Sequence, residues 1–420
     1  MSESTRTTPA PPDAPGWVAT GLERIDFHEL RARKDGPEWI IGRMDTGRVV
    51  ALPEEGARAV RLLQAGHSPN SAAARIKAEL GLSVHIGHLV DDLAGLGLVA
   101  AVDGRPVPAE QPPRPTLPRL RARHTRWSLN PWLHGAVCLV ILSGATTALL
   151  DARVRPSWQN VLWSGHGSFV IVSEVALTWP LIMLHELAHL ITARAAGVRG
   201  RIKLGTRLQF LVVQTQVAGV WLCERRVRLT VYLSGIAVTL AIVAGSVLIQ
   251  EAAGPNRLLQ LVALNEAVSV ALEFMVFMRT DIYFVLQDLL SCRNLYGDAS
   301  AYCRFLVRSL TGRSGTDPTA RLEPRERRRV RWYAMCMVLG SMGTLLLTWL
   351  IYSKVMWVLA VHAARGLSAG SGSAVADSII TLALLLAVHS LWAFAWWHGH
   401  GAQVRALLHR GRTPAAAAAR

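Results

Sequence analysis

The chain has 420 residues, 51% of them hydrophobic, with a mean hydropathy of +0.28 and a formal net charge of +16. A soluble domain rarely joins so much apolar content to so large a basic excess, whereas a multi-span membrane protein with basic loops does so routinely. The five cysteines are scattered, with no CxxC pair, which excludes a disulfide framework for a secreted domain and leaves them reduced and incidental.

Residues 1–16 are polar and proline-rich and lack the basic-then-apolar order of a signal peptide. They cannot bury enough apolar surface to offset the entropy of ordering and are expected to be disordered. Residues 17–100 read as a small soluble α+β module. Within it, 38–52 form two short strands around a Met44-Asp45-Thr46-Gly47 turn, and three amphipathic helices start near Pro53, Pro69 and Val84. Leu89, Leu93 and Leu96 recur at helical spacing and face its core. A proline- and arginine-rich linker, 101–130, follows, and few contacts should cross it.

Residues 131–397 carry apolar runs long enough to cross a bilayer, which takes roughly 20 residues of helix. Six spans are expected, at about 131–151, 169–195, 229–250, 258–278, 332–352 and 377–397, so the fold class is mainly α, a polytopic helix bundle. The run 354–364 is too short to cross and should lie at the interface, and 398–420 form a basic tail. Lys and Arg concentrate after the second and fourth spans (Arg199 to Arg228, then RLEPRERRRVR), which predicts a cell-membrane protein with both termini in the cytoplasm.

The second span contains HELAH. His185 and His189 are four residues apart, so on a helix they share a face and can grip one metal ion. Glu186 stands where a carboxylate can take a proton from a metal-activated water. Catalytic zinc is usually held by three protein ligands. Asp281, in MRTDIYFVLQDLL at the end of the fourth span, is at the same depth as the HELAH end, with Arg279 close by to favour its ionised form. Asp288 is the competing carboxylate, and Glu266 and Glu273 lie deeper, where they could line a wet cavity.

These residues resemble the site-2 protease family of intramembrane zinc peptidases, in its bacterial branch of peptide zinc metalloproteases. In that family an HExxH helix is followed by a membrane-associated strand hairpin, and a later helix supplies an aspartate ligand. RIKLGTRLQFLVVQTQVAGVW from Arg201 resembles the hairpin, and MRTDIYFVLQDLLSCRNL the aspartate segment. Met275-Val276 stand where the family has Asn-Pro, and Ile282 where it has glycine. The resemblance implies one catalytic Zn2+ held by His185, His189 and Asp281, with Glu186 as proton acceptor. It implies a peptide or transmembrane-segment substrate, cut at or within the bilayer.

The 17–100 module resembles the small winged-helix domains of the PqqD type, which recognise leader sequences of ribosomally made, modified peptides. An open strand edge there could accept an extended peptide. Asp91 and Asp92 on its third helix, with no Lys or Arg, argue against nucleic acid. Expected partners are therefore the substrate, the lipid bilayer and a peptide-modifying enzyme or exporter. The alternative is a non-catalytic relative that binds a peptide and passes it on. GLSAG at Gly366–Gly370 matches a serine-hydrolase elbow only formally, and His389, His398 and His400 read as bundle or interface residues.

Overall fold

The computed structural model describes residues 24–109, 111–157, 164, 166–208, 210–292, 294–312, 315–368 and 371–410. The expected disordered tail and the end of the GLSAG match lie outside these. The protein is mainly helical with small sheets, and its chain divides into two compact units.

The first unit comprises 1–130, 189–202 and 215–231. Its elements are β1 (Ile25–Phe27), β2 (Leu30–Asp35), β3 (Glu38–Arg43), β4 (Val49–Pro53), α1 (Glu54–Gln64), α2 (Pro69–Leu80), α3 (Ile86–Gly95), β5 (Val99–Val102) and β6 (Arg105–Pro106), then the single turn α4 (Ala122–Thr125). Two antiparallel sheets form, in the orders β2-β3-β4 and β1-β5-β6. Strand β2, LRARKD, has no apolar alternation to announce it, and its pairing with β3 carries it. Helix α2 has local reasons for both ends: Ser68 accepts from Ser71 N, Pro69 opens the first turn, and Gly81 closes it at φ +70. Ile41, Val60, Leu63, Ile76, Val90, Leu93 and Leu98 form one buried core, with Leu89 and Leu96 packed beside it. Each such side chain contributes about 2 kcal/mol by leaving water.

This unit is more tightly knit than a loose linker implies. The turn after β3 packs against a short 3-10 turn, Ala218–Leu222, so closely that a Cβ on Gly219 would lie 2.5 Å from the Met44 carbonyl oxygen. Thr116, inside the expected linker, donates from its N–H to Gly200 O at 3.1 Å. Its Oγ1 accepts from Ile202 N at 2.9 Å, and its carbonyl accepts from Arg194 at 3.1 Å.

The second unit comprises 131–188, 203–214 and 232–420. Among the described residues, five helices are long and apolar enough to cross a membrane: α5 (Pro131–Leu150), α6 (Gly167–Ala195), α7 (Arg225–Ala253), α11 (Pro324–Ser368) and α12 (Gly372–Arg410). Between α6 and α7 the strands β7 (Arg201–Arg207) and β8 (Phe210–Gln216) pair as a hairpin. α8 (Arg257–Glu273), α9 (Asp281–Leu289) and α10 (Leu295–Leu310) complete the order.

Three helices differ from the sequence expectation. The segment 258–278 is not one continuous helix. α8 stops after 17 residues, about 25 Å against a hydrocarbon core of about 30 Å. A 3-10 turn, Val276–Met278, and Arg279 at φ +60 then separate it from α9. α11 runs unbroken for 45 residues, about 68 Å, so 354–364 continue the fifth span's helix. α12 likewise carries 398–410, the start of the expected basic tail, as helix.

Candidate metal centre

α6 sets the first two candidate ligands. His185 and His189 lie one turn apart on it, 8% and 5% exposed, and Glu186 between them is 8% exposed. Asp281 is the first residue of α9. Two bonds tie this helix start back to the last residue of α8: Asp281 N donates to Glu273 Oε2 at 2.7 Å, and Thr280 Oγ1 donates to Glu273 O at 2.5 Å. Arg279, expected beside Asp281, holds its guanidinium over the Tyr296 ring, 4.9 Å from the centroid.

His185, His189 and Asp281 each bring one ligand atom to within 4.8 Å of the others, and they are the one such group among the described residues. Asp288 and Glu266 are buried but outside it, and the partly buried Glu273 is outside it too. The His185 Nε2 to Asp281 Oδ2 distance is 3.1 Å.

Neighbouring groups set the imidazoles. Nδ1 of His189 lies 2.7 Å from the Val231 carbonyl, which can only accept, so the proton sits on Nδ1 and the lone pair on Nε2. Nδ1 of His185 lies 3.0 Å from Thr239 Oγ1 on α7. When that oxygen accepts from Nδ1–H, the lone pair of His185 is left on Nε2.

His185 Nε2 and Asp281 Oδ2, 3.1 Å apart, form a hydrogen bond when Nε2 carries the proton, and both can turn to a metal ion when it does not. Adjacent ligands of a tetrahedral zinc stand about 3.4 Å apart, close to the 3.1 Å of the His185–Asp281 pair and inside the 4.8 Å that spans the group. Two imidazoles and a carboxylate are a donor set that zinc accepts, and the residues present fit the ion.

Thr239, the Val231 carbonyl and Glu273 carried no motif that marked these roles. Glu266 and Glu273 stood out only as ionisable groups in an apolar run. No protein family matches the chain, and neither does any curated protein or solved structure.

Proposed function

We propose that the protein is a membrane-embedded zinc metallopeptidase of the site-2 protease type, cutting a peptide or transmembrane segment at or within the bilayer. The observation that carries this reading is the meeting of His185, His189 and Asp281 beside Glu186 at the buried end of α6.

In this reading His185, His189 and Asp281 hold the ion. Zinc, when bound, supplies Lewis acidity toward a water and a peptide carbonyl. The Glu186 carboxylate accepts the proton that the attacking water loses, then delivers it to the leaving amine nitrogen. Thr239 and the Val231 carbonyl keep the imidazoles in the tautomer that offers Nε2. The surrounding apolar helices exclude bulk water, so the substrate must enter locally unwound.

The rest of the molecule supports the same reading. α8 and the turn that follows it serve as the sixth crossing, with both termini at the cytoplasmic face of the cell membrane. The three strands β2 to β4 with α1 to α3 are a PqqD-like winged helix that selects a peptide, handed over by a modifying enzyme or onward to an exporter.

The test is metal analysis of the purified full chain together with mass spectrometry of a peptide library incubated with it. The intact protein should hold one zinc and release fragments. Glu186→Gln should hold the zinc and release none. A metal-free wild type, or undiminished cleavage by Glu186→Gln, would refute the reading.

A further inference from the structure

The start of α11 crowds five arginines into seven residues, and the structure sorts them. Arg327 is engaged with the carbonyls of Thr319, Ala320 and Leu322, and Arg331 with Asp317. The other three, Arg325, Arg328 and Arg329, line one wall of a cavity of about 580 Å³. Arg329 is fixed there by donating to Leu290 O at 2.6 Å. Arg325 and Arg328 are exposed, and among the described residues neither bonds or ion-pairs with another. The remaining lining is apolar and includes Leu286 of α9, Leu290 just after it and Trp332 of α11.

The cavity lies at the end of a candidate membrane span, Pro324–Leu350. Trp332 in its wall is 58% exposed, the placement of an interfacial aromatic. Three guanidinium groups match a phosphodiester by fork geometry and charge. A free phosphate would have no use for the leucine and tryptophan walls. A phospholipid uses both parts, its headgroup against the arginines and its acyl chain along the apolar wall.

We propose that this cavity is a binding site for one anionic phospholipid of the surrounding membrane. Basic pockets at the ends of membrane helices suit such headgroups, and each interfacial arginine strengthens the attraction. The lipid would bridge α11 and α9, the helix that begins with Asp281.

The full chain in a neutral detergent would be titrated with phosphatidylglycerol, phosphatidylcholine or inorganic phosphate, and retained ligand counted by native mass spectrometry. One phosphatidylglycerol should be retained saturably, about tenfold or more tighter than phosphatidylcholine. The double variant Arg325→Gln/Arg328→Gln removes two exposed, unbonded side chains and should keep the lipid-free melting midpoint. It should lose about thirtyfold in affinity for phosphatidylglycerol. Cys336→Trp, which fills the cavity and leaves the arginines, should lose the lipid as well. Equal binding of the two lipids, or unchanged binding by either variant, would overturn the site. Inorganic phosphate held with the same arginine dependence and as tightly as the lipid would overturn its assignment to a lipid.

Discussion

Thr239 on α7 holds its Oγ1 3.0 Å from Nδ1 of His185 on α6, so one hydroxyl fixes the orientation of the first candidate ligand. Replacing it by the nearly isosteric Thr239→Val leaves a buried imidazole N–H without that acceptor. Zinc affinity should fall about 10 to 100-fold. Thr239→Ser should restore most of it, because the oxygen returns. Competition with a chromophoric chelator measures both, and a valine variant with parental affinity would show that the hydroxyl does nothing for the metal.

Asp281 and Asp288 lie on the same short helix, and only Asp281 joins the histidines. Asp281→Ala should therefore abolish stoichiometric zinc, while Asp288→Ala should retain it. Elemental analysis of the purified variants separates the two. Retention by the first together with loss by the second would transfer the ligand role to Asp288.

The legible part of this centre was the part with a local pattern. HELAH announces itself by helical spacing, and the basic loops placed Asp281 at the depth of the histidines before any contact was known. What stayed hidden depends on elements meeting in space. Thr239 and Val231 sit in an ordinary apolar run, with nothing nearby in sequence to mark a histidine as neighbour. The break between α8 and α9 contains neither proline nor glycine. Glu273, through its carboxylate and its carbonyl, stabilises that break, so a polarity scan reads straight through it. The Pro/Arg-rich run at 101–130 read as a linker because its composition is loose, yet Thr116 within it makes three hydrogen bonds.

The close approach at Gly219 makes a second mutation informative. Gly219→Val puts side-chain carbon against the Met44 carbonyl oxygen and should cost about 1 to 3 kcal/mol of packing. The N-terminal sheet would then separate from the 218–222 turn, exposing the fully buried Val220. Limited proteolysis between 103 and 121 should accelerate in the variant. Cleavage at the parental rate would mean that the contact contributes nothing to the docking. For the same reason, removing residues 1–100 should lower the melting temperature of what remains.

Arg43 and Asp45 form a paired fork beside this contact: Nε to Oδ1 at 3.0 Å and Nη2 to Oδ2 at 2.8 Å, with Arg43 only 5% exposed. The hydrogen bond from Arg43 is the main reason that the Asp45 carboxyl sits below its ordinary pKa of 3.8. A depressed carboxylate pKa contributes stability that is present above the unfolded value and lost as pH falls through the folded one. Asp45→Asn should therefore cost about 2 kcal/mol near neutrality. Its penalty should shrink below pH 3.8, as the parent's carboxylate is protonated. Chemical denaturation at both pH values measures this, and a penalty independent of pH would exclude the charge as its source.

The bond from Ile202 to Thr116 joins residues 86 positions apart, and that separation orders events on the ribosome. At about 5 to 20 residues per second, Ile202 is joined to the chain roughly 4 to 17 s after Thr116. The N-terminal core, closed by residues no later than Val107, is complete before then. It folds first and waits with its docking face open, so the nascent chain passes through a stage in which a finished small domain precedes any seat for it.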